Sequence, residues 1–120
     1  MAAVVVHCSC PDADCAARIA RALVEERLAA CVQALPGVVS TYRWQGEVRV
    51  DAEVLLLVKT VAARLDALKA RIAALHPYDV PELLAFEAVD GAPDYLAWLA
   101  QACDDDPSGP GSPHAVTQPG

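Results

Sequence analysis

"VRVDAEVLLLVK", residues 48–59, decides the fold. Val48, Val50, Ala52, Val54, Leu56 and Val58 alternate with Arg49, Asp51, Glu53 and Lys59, which is the period of a strand and not of a helix. Leu55 and Leu57 interrupt the polar set, so one face is predicted to be buried along its whole length while the other turns from polar to apolar halfway. A strand of this kind has to be covered on both sides. Immediately before it, "WQGE" (44–47) supplies Gly46 for a tight reversal, and residues 31–44 also have strand character. The centre of the chain therefore reads as a long β-hairpin.

Outward from the hairpin, elements alternate in type. "AAVVVHC" (2–8) is a short β-branched run and reads as a strand. After Pro11-Asp12, an N-cap-like start, Ile19, Ala20, Leu23, Val24 and Leu28 recur at helical spacing, with Arg18, Arg21, Glu25 and Glu26 elsewhere on the turn. On the far side, Leu65, Leu68, Ile72 and Leu75 mark a second helix, closed at His76-Pro77 because proline disfavours a helical residue before it. "ELLAFEAV" (82–89) reads as a strand, and "APDYLAWLAQA" (92–102) as a last helix with Pro93 near its first position. The order is βαββαβ plus a C-terminal helix, which predicts an α+β, ferredoxin-like sandwich with both long helices on one sheet face. The opposite sheet face lacks a cover within the chain.

Composition points the same way. A chain of 120 residues suits one modest core, and 55% hydrophobic residues exceeds what such a core hides, so self-association is expected. No apolar run approaches the roughly 18 residues of a membrane span, and Met1 to Val6 lacks the features of a signal peptide, so no membrane partner and a cytoplasmic location are expected. Five cysteines then read as reduced thiols. A net charge of -7 opposes phosphate-backbone binding, which makes nucleic acid an unsuitable partner and cations a natural one. The ordered domain is predicted to span residues 1–103. From Asp104, "DDDPSGPGSPHAVTQPG" (104–120) has no periodic apolar residues and is expected to be a disordered acidic tail, in which His114 has no preorganised partners.

"LAACVQALPGVVSTYRWQGEV", "LLLVKT", "HPYDVPELL" and "DYLAWL" are similar, in order and spacing, to the successive signature segments of the CutA divalent-cation tolerance family, over about Val4 to Cys103. The resemblance implies a homotrimer of ferredoxin-like subunits, PII-like in architecture, that binds divalent cations, copper especially, and takes part in the response to metal ions. It also implies that the turn after the second helix lies beside an intersubunit cleft. Tyr78 and Glu82 of that turn, with Tyr42, Trp44 and Lys59, are then candidates for lining it. Tyr42 and Trp44 project to one face of their strand, so packing against a neighbouring subunit and walling a ligand both remain open.

In the family's copper site, the resemblance places Cys8 at the end of the first strand and His76 before the prolyl turn. The position preceding His76, where the family carries a second histidine, is Leu75 here. His7 and Cys10 are the candidate substitutes. Strand alternation favours Cys10, which shares a face with Cys8 while His7 does not. Cys8, Cys10 and His76 would form a soft set suited to Cu(I). Against this, Cys8 and Cys10 could be ordinary buried thiols, and His76 could simply cap the helix C-terminus. Cys31, flanked by Ala30 and Val32, reads as a buried small thiol. No glycine-rich phosphate loop, G-x-S-x-G or C-x-x-C occurs, so no enzyme activity is expected. The alternative function is that of a PII-like regulatory trimer whose cleft binds a small anion through Lys59.

Overall fold

The computed structural model describes residues 2–104, so His114 and nearly all of the expected tail lie outside the described residues. Seven main elements follow one another: β1 (Ala3–Cys10), α1 (Ala13–Glu25), β2 (Cys31–Trp44), β3 (Glu47–Val61), α2 (Leu65–Leu75), β4 (Leu84–Glu87) and α3 (Pro93–Ala102). A single 3-10 turn, Ala62–Arg64, leads into α2. The four strands form one sheet in the order β2-β3-β1-β4, with every neighbouring pair antiparallel. This is the βαββαβ arrangement with an added C-terminal helix.

The core lies between the helices and one sheet face. Val4, Val6, Cys8 and Cys10 of β1 and Val54, Leu56 and Val58 of β3 meet Ala16, Ile19 and Leu23 of α1 and Leu68 and Ile72 of α2. These are the even positions of both strands, as period-2 alternation requires. Asp12 starts α1 by accepting a 2.8 Å hydrogen bond from the Cys15 backbone N–H. The helix ends in a Schellman turn: Arg27 and Leu28 donate to the carbonyls of Val24 and Leu23, and Arg27 stands at φ 60 where glycine is usual. Leu28 consequently lies past the helix, and Val24 is exposed. A smaller cluster of Ala30, Val61, Leu99 and Cys103 docks α3.

The expectation that one face of residues 48–58 is buried throughout is corrected by the exposures. Val54, Leu56 and Val58 are buried, but Val48 and Val50 are 64% and 63% exposed. The helices cover the sheet only as far as Val54, and the β2–β3 hairpin runs on beyond them as an arm whose tip, Gln45-Gly46, has positive φ at both residues. That backbone matches the right-handed twist of the strands. The strand expected at 82–89 is also shorter, Leu84–Glu87; ahead of it the Ser9 hydroxyl donates to the Glu82 carboxylate and the Ser9 carbonyl is taken by His76.

A bulge shapes the arm. Leu35 pairs with Leu55 but Val38 pairs with Glu53, so β2 carries one extra residue around Pro36-Gly37, with Gly37 at φ +78. Before the bulge, even residues of β2 sit opposite even residues of β3 on the helix side; after it, Tyr42 faces Arg49 and Trp44 faces Glu47. The extra residue moves both aromatics to the side of the sheet away from the helices.

Candidate functional site

Two places gather the candidate side chains. The first lies where β1 ends. Alternation turns Cys8 and Cys10 inward, α2 terminates at Leu75, and His76 swings back over the end of β1. One donor atom from each of Cys8, Cys10 and His76 lies within 4.8 Å of the others, and all three residues are buried. His7 points to the opposite face and packs its ring against Phe86 at 4.9 Å. Leu75 is half-buried and packs against the main core.

His76 is held from both sides. Its Nδ1 accepts from the Tyr78 N–H at 3.2 Å, which puts the ring proton on Nε2, and Nε2 donates to the Ser9 carbonyl at 2.7 Å. β4 pairs with β1 only from Val4 to His7, and beyond it the loop after α2 closes over the strand edge with this bond. His76 does occupy the C-cap position of α2, but only its backbone N–H bonds to the helix, at Ile72, while its ring serves β1. The helix-capping role for the imidazole is thereby replaced by a tertiary one. Hydrogen bonding to Cys8 raises the Cys10 thiol well above the usual thiol range, and burial and the charge of Cys8 add to the effect. Burial and the neighbouring Cys10 raise Cys15 as well.

The second place is a groove of about 730 Å³ between the hairpin arm and the loop after α2. Tyr42, Trp44, Tyr78 and Glu82 all line it. Two residues not singled out from the sequence, Asp51 and Glu53, organise it: Asp51 accepts from the Tyr42 hydroxyl, and Glu53 accepts from the Tyr78 hydroxyl at 2.8 Å. Their alternation with Arg49 on β3 was visible, but the bulge that brings Tyr42 to the same side was not. The bond to Asp51 raises the Tyr42 phenol, whereas burial first and then Glu53 raise that of Tyr78. Lys59 is not part of this groove. It pairs with Val5 and Cys31 and donates to Gln33. Six residues of strand separate it from Glu53, the nearest groove residue on β3, about 20 Å. Cys31, expected to be buried, is partly exposed at the start of β2.

The sequence model described as CutA1 divalent ion tolerance protein matches residues 4–102. The chain belongs to this family. Among CutA proteins, it is 54% identical over 97 residues to the divalent-cation tolerance protein CutA of Thermus thermophilus, covering 81% of this chain and 94% of that one. The crystal structure of CutA from Xylella fastidiosa superposes with a TM-score of 0.83 at 47% identity, over 85% of this chain and 98% of that one. That of CutA1 from Oryza sativa gives a TM-score of 0.85 at 40% identity, over 88% and 97%. The family is described as one of divalent-cation tolerance proteins.

Proposed function

We propose that this chain acts in metal-ion tolerance by binding copper, as Cu(I), at Cys8, Cys10 and His76. The observation that carries the reading is the convergence of these three buried donors, two from one strand and one from the end of a distant helix. Two sulfurs and an imidazole suit a soft cation and discriminate against Mg(II) or Ca(II), which need oxygen ligands. Zinc bond lengths of about 2.3 Å to sulfur and 2.0–2.1 Å to nitrogen put tetrahedral donors roughly 3.5–3.8 Å apart, so a bound ion draws donors that lie within 4.8 Å of one another in by no more than about 1.3 Å. Coordination by either ring nitrogen replaces its present partner, the Tyr78 N–H at Nδ1 or the Ser9 carbonyl at Nε2, and the bond kept at the other nitrogen is the kind that orients a ligating imidazole. The reading needs thiols and not a disulfide, hence a reducing compartment such as the cytoplasm.

Assembly belongs to the same proposal. Val39, Val48, Val50, Leu84 and Phe86 are exposed apolar side chains, more than a lone subunit of this size usually leaves in water, and a homotrimer provides the cover. The anion-binding alternative is less favoured by this groove, whose lining within one subunit holds four carboxylates and the single cation Arg49, while Lys59 bonds to Gln33.

The deciding experiment is a competitive Cu(I) titration under reducing conditions. Cys8→Ser, Cys10→Ser and His76→Ala are each expected to weaken binding at least tenfold, with His7→Ala unchanged. Wild-type binding that survives Cys10→Ser but not His7→Ala would reject the ligand set.

A further inference from the structure

The groove presents three aromatic rings, Tyr42, Trp44 and Tyr78, each 38% exposed, around a carboxylate pair on one strand. Its volume of about 730 Å³ is in the range of small-molecule sites, roughly 300–1,000 Å³. The two phenols each occupy one oxygen of a carboxylate, Oδ2 of Asp51 and Oε2 of Glu53, and thereby hold both groups in place. Asp79 and Glu82 add two further acids to the lining, against the single cation Arg49, which itself lies 3.8 Å from Glu47.

We propose that this groove binds an aliphatic polyamine, its ammonium groups bridging Asp51 and Glu53 and its methylenes lying against Trp44, Tyr42 and Tyr78. The lining selects this class. Asp51 and Glu53 are two residues apart on one strand face, with Cα atoms about 6.8 Å apart along the strand. Ca(II) and Mg(II) call for a shell of oxygen ligands, whereas three aromatic rings flank these carboxylates and suit an ammonium carried on an apolar stem. Ammonium groups separated by four methylenes span a length comparable to that Cα spacing. An ammonium over an aromatic face is also attracted by the ring quadrupole, most strongly at tryptophan. The metal cluster contributes no ligand to this groove, so the proposal stands apart from the copper reading.

The test titrates spermidine into the full chain, following tryptophan fluorescence and heat. Saturable binding is expected, weakened at least fivefold by Glu53→Gln and by Asp51→Asn, weakened by added salt, and absent for fully N-acetylated spermidine. Melting curves confirm that the variants fold, and copper affinity is read in parallel and is expected not to change. Absence of saturation, equal binding by the variants, or equal displacement by Mg(II) at matched ionic strength would each overturn the proposal. So would variants that change the oligomeric mass while spermidine fails to bind, since the groove would then receive a second copy of the chain.

Discussion

His76 illustrates how one side chain can be both structural and a candidate ligand. Its ring joins the Ser9 carbonyl on β1 to the Tyr78 N–H in the following loop, so His76→Ala strands two backbone groups at a largely buried position. A loss of about 1–3 kcal/mol is expected, read as a lower denaturant midpoint in metal-free protein. This is why loss of copper binding in that variant has to be interpreted beside its melting curve. The thiols make a second prediction. Burial raises Cys103 and Cys15, and its bond to Cys8 raises Cys10, so in the folded chain these thiols keep protons that the unfolded chain releases above about pH 8.5. The unfolded state then binds fewer protons, and stability falls as pH rises. Metal-free protein is expected to melt progressively lower from about pH 8.5 upward, and Cys103→Ala to flatten that decline. A melting temperature constant to pH 10 would contradict the assignment. Copper binding has the opposite sense: acid weakens it, because the thiols must lose protons to coordinate.

At the scale of elements, two positive-φ positions have different consequences. Arg27 occupies the left-handed site of the Schellman turn after α1, where a Cβ costs roughly 1 kcal/mol that glycine avoids. Arg27→Gly is therefore expected to stabilise by a fraction of a kcal/mol up to about 1 kcal/mol, raising the melting temperature by a few degrees at fixed protein concentration. Gly37, at φ +78 in the bulge of β2, has open space around its missing Cβ, so Gly37→Ala meets no clash and loses only backbone energy, about 1 kcal/mol. Deleting Gly37 is the more informative change. Removing the extra residue returns Tyr42 and Trp44 to the helix side of the sheet and separates Tyr42 from Asp51, with a shift in tryptophan emission as the readout. Retained emission would show that the hairpin re-forms its bulge elsewhere.

The whole molecule is a compact helix-backed sheet with a bare arm. Val48 and Val50 project from the arm where no helix reaches, and the sheet face away from the helices exposes Leu84 and Phe86. Light scattering at micromolar concentration is expected to give three times the mass of the chain. Val50→Lys, at an exposed position of the isolated subunit, is expected to leave its fold intact and lower that mass. A monomeric wild type would reject the trimer and leave the apolar arm without a role. Were the variant trimeric at all concentrations, the interface would lie elsewhere.

Element order, the antiparallel hairpin and the inward face of β1 follow from local periods and turn residues, which is why the fold and the pairing of Cys8 with Cys10 were legible in the sequence. Period 2 states which residues share a face, and that depends only on the strand itself. It does not state what covers the face. The same alternation runs through Val48 and Val58, yet only the second lies beneath a helix. Nor does it survive a bulge: Pro36-Gly37 permits an extra residue without dictating where the register slips, and the slip alone sets Tyr42 beside Asp51. The proton position on His76 was likewise set by groups 67 and 2 residues away, Ser9 and Tyr78, which only the folded chain brings to the same ring.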